Sequence, residues 1–234
     1  IEMTLNILKH FNIEHVWMGT CLQILNSKFT ARNYSVGGDW SAASYWYSIA
    51  FLADEAEIFM EGLRNDWSQG DRVMADRIKH FGVVSEFTTE GTLIKKVKAD
   101  YPVMMKLDFS DSPDIAQTFA AMFAAKNIYA TFSGIESLKI KETDRIAALQ
   151  NELRKVNVKF DYSERFDFYR LKGEYKSPVL PIKTYEDHRM AMSFAPLALL
   201  GEIEIENPEV VEKSYPEFWK DLQKAGFTIA LKVV

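Results

Sequence analysis

The stretch DWSAASYWYSIAFL, residues Asp39–Leu52, decides the fold because it is apolar on nearly every side of a helix and begins with a helix-capping residue. Two later stretches repeat this pattern, and they follow Asp114 and Asp187. A helix that is apolar all round must be buried, so sheets must surround it. The three helices predicted to be buried are Ser41–Leu52, Ile115–Ala125 and Met190–Leu200.

Each apolar helix opens a repeated unit, which continues with a short strand, a polar loop, an amphipathic helix and a closing strand. The amphipathic helices are Gly70–His80, Thr143–Val156 and Tyr215–Ala225. The predicted short strands are Glu57–Met60, Ile128–Phe132 and Glu202–Ile205, and the closing strands are Val83–Phe87, Val158–Tyr162 and Phe227–Leu231. The sequence therefore predicts an α/β protein made of repeated βαβ-containing units.

The first residues of the chain look like the tail of a preceding unit. Asn12 follows a helical pattern, Leu5–His10, much as Gly82 follows its own amphipathic helix. The paired glycines Gly37 and Gly38 then let the chain cross between lobes. We therefore expect residues 1–36 to be the tail of an N-terminal lobe and residues 37–234 to form a C-terminal lobe of three repeats, so that the chain is a piece of a longer protein.

Composition excludes several classes of function. With 28 basic and 33 acidic side chains the net charge is −5, which argues against a nucleic-acid-binding surface. No apolar run approaches the roughly 20 residues that span a membrane. The one cysteine, Cys21, excludes an internal disulfide and a multi-cysteine metal site. We expect a cytoplasmic protein with no bound metal, no nucleic-acid partner and no membrane association.

One candidate ligand-binding segment is SLKIKETDR, residues Ser137–Arg145, which leads from a loop into a helix. Lys141 and Arg145 are four residues apart and share a helical face, with Glu142 close by. A guanidinium binds a planar oxyanion through two hydrogen bonds and a lysine adds a point charge, so this segment suits a phosphorylated or carboxylated ligand. A solvated helix with internal ion pairs explains the same spacing, which alone does not decide between the two.

A second candidate is YEDHRMAM, residues Tyr185–Met192, which places His188 and Arg189 in the first turn of an apolar helix. Cations at that end oppose the helix dipole, and they are better explained if an anion binds there. Asp187 is expected to cap the helix, which leaves His188 free to donate a hydrogen bond or to shuttle a proton. A purely structural role fits this pattern equally well.

Two further residues carry little signal by themselves. Asp114 follows Ser112 and Pro113 at the start of the second apolar helix, and its simplest interpretation is an N-terminal cap. Lys213 lies in a loop, where a lysine is usually exposed.

Three strings taken together resemble the 5-enolpyruvylshikimate-3-phosphate synthase family: KETDR at Lys141–Arg145, DHRMAM at Asp187–Met192 and GDWSAASY at Gly38–Tyr45. Three shorter strings, Ser68–Asp71, Ser112–Asp114 and Glu212–Tyr215, follow the order of that family's second half. The resemblance spans essentially the whole chain and identifies it as the C-terminal half. It implies an inside-out α/β barrel lobe, with helices enclosed by sheets.

The resemblance also implies an activity in the shikimate pathway of aromatic amino-acid biosynthesis. The enolpyruvyl (carboxyvinyl) group of phosphoenolpyruvate passes to the 5-hydroxyl of shikimate 3-phosphate, and phosphate is released. The hydroxyl oxygen attacks C2 of phosphoenolpyruvate once the methylene carbon is protonated, and the tetrahedral ketal phosphate then expels phosphate. The resemblance implies no organic cofactor and no metal, and a monomer when the protein is intact.

By motif, the resemblance assigns Asp114 to take the hydroxyl proton, Glu142 to exchange protons with the methylene carbon, and His188 to support the phosphoenolpyruvate pocket. Arg145 and Arg189 are assigned to the carboxylate and phosphate of phosphoenolpyruvate. The remaining substrate-binding residues implied are Lys213 for that phosphate, Lys141 for the shikimate phosphate, and Ser137, which stands where the family commonly has an asparagine.

The family's other lobe supplies a Gly-Ser-Lys-Ser type segment, further arginines and a Ser-Ser-Gln type phosphate site that this chain lacks. We therefore expect no measurable phosphate release from the chain alone. Three alternatives were considered. A relative that transfers enolpyruvyl to UDP-N-acetylglucosamine is disfavoured by the strings at Lys141–Arg145 and Asp187–Met190, and an RNA-terminal phosphate cyclase of similar topology is disfavoured by the acidic balance. The third is a non-catalytic anion-binding repeat scaffold. The scaffold is indicated if the four cations diverge in space; they are Lys141, Arg145, Arg189 and Lys213.

Overall fold

The computed structural model describes residues 1–231. Within that range the α-helices are α1 Glu2–His10, α2 Trp40–Leu52, α3 Val73–Lys79, α4 Ala116–Ala125, α5 Arg145–Lys155, α6 His188–Phe194 and α7 Phe218–Lys224. The strands are β1 His15–Met18, β2 Cys21–Ile24, β3 Glu57–Glu61, β4 Val83–Phe87, β5 Gly91–Lys96, β6 Met104–Asp108, β7 Tyr129–Ser133, β8 Val158–Ser163 and β9 Phe168–Gly173. None of the helices in residues 1–231 combines the length and the apolar character that crossing a bilayer requires.

The three apolar helices form the core, as predicted. Helices α2, α4 and α6 pack against one another, and nearly all of their side chains are buried. Asp39 and Asp187 cap α2 and α6 by accepting hydrogen bonds from backbone N–H groups. The third apolar stretch is α-helical only to Phe194 and continues as a 3-10 turn that contains Pro196, because proline has no N–H to continue the helical ladder.

Two sheets cover this core. Strands β3, β5 and β4 form an antiparallel sheet in that order, and strands β6, β7, β9 and β8 form a mixed sheet in which β6 and β7 run parallel. The predicted strands of the first two units are confirmed as β3, β4, β7 and β8. The sequence pattern missed β5, β6 and β9, and also β1 and β2, which form a separate two-stranded sheet. The fold class, α/β with buried helices enclosed by sheets, is confirmed.

The two strands predicted for the third unit are wrong. Residues 202–205 form no strand, and one isolated bridge joins Ile182 to Ile205. Residues 227–231 are irregular. In units one and two the closing strand pairs with the strand that follows it, β4 with β5 and β8 with β9. No such following strand lies within residues 1–231 of the third unit, so the backbone there lacks the ladder that defines a strand.

The repeat is also visible in the turns that end its helices. Asn12, Gly82, Asn157 and Gly226 follow α1, α3, α5 and α7, with φ angles of 69°, 75°, 63° and 100°. Glycine and asparagine are the residues that most readily take this left-handed conformation at a helix end. The residues that the sequence pattern aligned are therefore equivalent in backbone conformation.

Candidate active site

Arg145 is the centre of a cluster of ion pairs where the N-termini of α5 and α6 meet. It is the first residue of α5, and its side chain is 1% exposed. Its Nε donates to Oδ2 of Asp187 at 2.6 Å, and its Nη1 donates to Oδ1 of Asp114 at 3.0 Å. Its Nη2 donates to Glu142. One guanidinium thus joins carboxylates from three separate parts of the chain.

Asp114 is a second centre of the cluster. Its Oδ1 lies 3.3 Å from Nζ of Lys141, and its Oδ2 lies 3.3 Å from Nη2 of Arg189. Its backbone oxygen also accepts a hydrogen bond from Nη1 of Arg189 at 3.3 Å. The interpretation of Asp114 as an N-terminal cap is wrong, since the residue before α4 is Ile115 and no side chain caps that helix. Hydrogen bonds from cations are stronger than those from neutral N–H groups, so the carboxylate turns toward the cations.

Glu142 connects the cluster to the loop that carries Lys213. Its Oε1 lies 3.7 Å from Nζ of Lys213, while its Oε2 accepts from Arg145. Lys213 ends the 3-10 turn Pro208–Lys213, and its side chain is 61% exposed. All four predicted cations therefore converge on two carboxylates, those of Asp114 and Glu142.

The last two predicted site residues lie beside these ion pairs. His188 opens α6 and is buried, with its Nδ1 4.0 Å from Oδ1 of Asp187 and without a hydrogen-bond partner among residues 1–231. Ser137 lies on the 3-10 turn Glu136–Ile140, which packs against the turn Pro113–Ile115. Its side chain is exposed.

Local capping explains why the two helices begin at this cluster. The side chain of Asp144 accepts a hydrogen bond from the backbone N of Ala147 at 3.0 Å and so fixes the start of α5 at Arg145. Asp187 accepts from the backbone N of Arg189 at 2.8 Å and starts α6 at His188. Because each helix begins at a functional candidate, the capping residues also aim those side chains into the cluster.

The cations keep both shared carboxylates ionised. Burial opposes ionisation of Asp114, but Arg189, Lys141 and Arg145 outweigh it, so the pKa of Asp114 lies below its usual range. Burial likewise acts against ionisation of Glu142, but a hydrogen bond from its own backbone N–H and the charges of Arg145 and Lys213 lower its pKa below the usual value. Both groups are therefore proton acceptors at neutral pH.

The pKa values of His188 and Arg189 shift in opposite directions. Burial lowers the pKa of His188, and although Asp187 opposes this effect the net shift is downward, so the ring is neutral at pH 7. Burial also acts to lower the pKa of Arg189, but Tyr45, Asp114 and Asp71 raise it above its usual value. Arg189 is thus a permanent cation beside a neutral histidine.

Sequence reasoning missed the second role of Asp187. Besides capping α6, its fully buried carboxylate pairs with Arg145. It also missed Asp71, which accepts a hydrogen bond from Ser41 and acts electrostatically on Arg189. The available signal was that Asp187 directly precedes His188 and Arg189, so a cap at that position necessarily lies beside both. Asp71 ends the string Ser68–Asp71, but that string gave no indication that its carboxylate acts on Arg189.

The cluster is chemically suited to anions. Among residues 1–231 no group of three or more histidine, cysteine, aspartate or glutamate side chains has an arrangement that could hold a metal ion. Two guanidiniums and two ammonium groups are gathered instead beside two ionised carboxylates. A bound phosphate or carboxylate can pair with these cations in place of Asp114 and Glu142, and the displaced side chains can then accept protons.

Helices enclosed by sheets, with cations and carboxylates gathered at the helix N-termini, define the class of inside-out α/β folds. Solved structures agree on the fold. An EPSP synthase from Acinetobacter baumannii aligns over 97% of this chain and 55% of its own, with a TM-score of 0.71 and 20% sequence identity. The enolpyruvyl transferase NikO from Streptomyces tendae aligns over 94% of this chain and 51% of its own, with a TM-score of 0.63 and 14% identity.

The particular family follows from the sequence comparisons. The model of EPSP synthase (3-phosphoshikimate 1-carboxyvinyltransferase) matches residues 1–222, so the chain belongs to the EPSP synthase family. A 3-phosphoshikimate 1-carboxyvinyltransferase of Bacteroides fragilis is 43% identical over 98% of this chain, and one of Methanosphaerula palustris is 31% identical over 97%. The resemblance found in the motifs is confirmed. The chain spans about half the length of these relatives, 56% and 52% respectively.

Proposed function

We propose that this chain is the C-terminal part of a 3-phosphoshikimate 1-carboxyvinyltransferase, which transfers the enolpyruvyl group of phosphoenolpyruvate to the 5-hydroxyl of shikimate 3-phosphate and releases phosphate. The observation that carries the proposal is the convergence of four cations on Asp114 and Glu142. Curated relatives that carry this activity in their names support it. A scaffold without catalytic function would not need carboxylates shared among so many cations.

The geometry suggests how the residues divide the work. Asp114, ionised beside Lys141 and Arg189, takes the proton of the 5-hydroxyl as its oxygen attacks C2 of phosphoenolpyruvate. The anionic substrates displace the cations of Glu142 and raise its pKa, so that it takes up a proton and gives it to the methylene carbon as the new C2–O bond forms. In the elimination Glu142 takes a proton back from the resulting methyl carbon as the double bond re-forms. The C2–O bond to phosphate then breaks, and phosphate leaves with the electron pair. The cations offset the repulsion between the two anionic substrates and stabilise charge in the tetrahedral intermediate.

The binding roles follow from exposure and position. Lys213 is more than half exposed and reaches toward Glu142, which suits capture of the phosphate of phosphoenolpyruvate. Arg145 and Arg189 are largely buried and suit its carboxylate and phosphate, while Lys141 suits the shikimate phosphate. The neutral ring of His188 supports the same pocket. Ser137 contacts the ring of shikimate, since its exposed side chain lies beside the turn that carries Asp114.

The division of the chain is part of the proposal. Residues 1–36 belong to the end of an N-terminal lobe, and residues 37–234 form a C-terminal lobe that is complete only with its partner lobe.

The full-length protein is a cytoplasmic monomer that needs neither cofactor nor metal. The single cysteine, Cys21, fits a reducing compartment. Light scattering after size exclusion tests the monomer, and cell fractionation tests the compartment.

The activity is tested by phosphate release from phosphoenolpyruvate in the full-length protein that contains this chain. We expect that phosphate release requires shikimate 3-phosphate and that shikimate 3-phosphate carrying the enolpyruvyl group on its 5-oxygen is detected as product. We expect no phosphate release from residues 1–234 alone. UDP-N-acetylglucosamine is offered as the competing acceptor. Release with that acceptor and not with shikimate 3-phosphate would overturn the assignment, and turnover by the chain alone would overturn the need for two lobes.

The variant Arg189→Ala tests the site within the same assay. Loss of hydrogen bonds from a charged donor should raise KM for phosphoenolpyruvate about 50-fold, with a smaller change in KM for shikimate 3-phosphate. Arg165→Ala, an exposed arginine on the loop before β9, is the matched control. Unchanged steady-state constants for Arg189→Ala contradict its assigned contact.

A further inference from the structure

A fully buried carboxylate lies outside the cluster but on the same helix. Glu152 is 0% exposed and lies seven residues after Arg145, so both side chains project from one face of α5. A carboxylate is buried at this level only when it is paired and hydrogen-bonded. Its Oε2 lies 2.6 Å from Nζ of Lys155, but this ion pair accounts for only part of its bonding.

The other bonds of Glu152 reach the segment that leads into α6. Its Oε2 accepts a hydrogen bond from the backbone N of Lys183 at 2.9 Å, and its Oε1 accepts one from the hydroxyl of Tyr185 at 2.7 Å. Burial and this contact raise the pKa of the Tyr185 hydroxyl to about 12, so it stays a hydrogen-bond donor. The carboxylate therefore holds the segment at two points, one on the backbone and one on a side chain.

The held segment has a strained backbone. Tyr185 and Glu186 have φ angles of 55° and 58°, in the left-handed region that residues other than glycine rarely enter. Two such residues in succession persist only where surrounding contacts fix them. The next residue is Asp187, whose carboxylate caps α6 and accepts from Nε of Arg145 at 2.6 Å. The strained turn therefore sets the position of the residue that starts α6.

We propose that Glu152 is a positioning residue for the candidate active site: by holding Lys183 and Tyr185 it fixes the left-handed turn that orients Asp187, His188 and Arg189 toward the cluster of ion pairs. Helix α5 then fastens this segment at both ends, through Glu152 at one end and through Arg145 at the other. The proposal rests on the proposed function only for its kinetic readout, because the orientation of His188 can be measured without turnover.

The test uses Glu152→Gln and Tyr185→Phe in the full-length protein. Glu152→Gln keeps the shape but removes the charge, and we expect KM for phosphoenolpyruvate to rise about tenfold. Tyr185→Phe removes one hydrogen bond and keeps the Lys155 pair, so we expect a rise of about threefold. The matched control is Glu164→Gln, an exposed glutamate on the loop after β8.

A second readout separates positioning from a general loss of stability. In protein labelled with 15N-histidine, the imidazole of His188 is assigned by a His188→Gln variant and titrated by NMR. Release of the segment exposes the ring, so in both test variants its pKa should move up toward the usual value of about 6.5. Circular dichroism establishes that each variant is folded.

The outcomes are distinct. A shifted His188 titration with raised KM in folded variants supports the proposal. If Glu152→Gln does not fold, Tyr185→Phe decides the question by the same two measurements. Lower thermal stability with unchanged KM and an unchanged His188 titration overturns it and leaves Glu152 as a structural ion pair. Absence of any turnover in the unsubstituted full-length protein counts against the proposed function alone, since the His188 titration still decides the role of Glu152.

Discussion

Two buried arginines of this chain are held in opposite ways. Arg72 is 4% exposed, and its Cζ lies 4.1 Å and 4.9 Å from the ring centroids of Trp67 and Phe87. Its charge pairs with Asp76, four residues further along. Arg145 is 1% exposed and instead meets three carboxylates. One guanidinium is enclosed by rings, and the other by groups of opposite charge.

The ion pairs of the two arginines differ in whether a ligand anion can replace one of the partners. The pair between Arg72 and Asp76 is local and belongs to a single helical turn. Two partners of Arg145, Asp114 and Glu142, also pair with further cations, so a ligand anion can displace one of them without leaving it unpaired. A carboxylate with several cationic partners can exchange them. This difference supports the proposal that Arg145 is part of the binding site, whereas Arg72 is part of the scaffold.

The largest effect is expected from Arg145→Ala in the full-length protein. The change leaves Asp187 buried without its cation, which should lower the free energy of unfolding by about 3–5 kcal/mol. Phosphate release should fall about 1000-fold, because a charge that stabilises the transition state is lost. Urea denaturation and the phosphate assay measure the two effects. Arg154→Ala, an exposed arginine of the same helix, is the control, and equal losses in both variants contradict the assignment.

The variant Arg72→Met tests whether the other buried arginine affects stability without affecting the kinetic constants. Methionine fills much of the space between the rings but loses the cation–π contacts and the pair with Asp76, so the free energy of unfolding should fall by about 2 kcal/mol. KM and kcat should stay within about twofold of the unsubstituted protein, because Arg72 is not part of the cluster. A large rise in KM for phosphoenolpyruvate would show that the two arginines do not differ as described.

The smallest expected effect concerns the pH dependence of the free energy of unfolding below about pH 4. The pKa of Asp114 is lower in the folded chain than its ordinary value of 3.8, so its ionised form stabilises the fold above that value, and this contribution is lost as the pH falls through the folded pKa. Asp114→Asn lacks the contribution, and its free energy of unfolding should fall less steeply below about pH 4, by roughly 1 kcal/mol in total. Urea denaturation at several pH values measures the slope, with Asp161→Asn as the control outside the cluster. Equal slopes for Asp114→Asn and the unsubstituted protein contradict the paired state of this carboxylate.

The helices were predictable from sequence because a helix satisfies its own backbone hydrogen bonds. The apolar pattern therefore located α2, α4 and α6, and the capping residues Asp39 and Asp187 marked the starts of α2 and α6. A strand depends on a partner that is distant in sequence. The pattern GEIEIEN at residues 201–207 alternates as a half-buried strand should, yet it forms none in residues 1–231, because no neighbouring strand continues the ladder.

The candidate site was predictable only in part. Motif strings identified Lys141, Arg145, Arg189 and Lys213, and the fold brings these four together. The local pattern alone indicated a cap at Asp114, because the cations that attract its carboxylate come from other elements, and only the family resemblance assigned Asp114 to the site. It gave no sign of Glu152, since a glutamate in an amphipathic helix is normally solvated.

The balance of charge in the cluster has a consequence for ligand capture. The cations there are Lys141, Arg145, Arg189 and Lys213, and the carboxylates are Asp114, Glu142 and Asp187, so one positive charge is in excess. A ligand that brings two or three negative charges makes the sum negative and raises the pKa of the displaced carboxylates. Capture of such a ligand therefore draws hydrogen ions from the surrounding buffer, and the affinity of the protein for its ligand increases as the medium becomes more acidic.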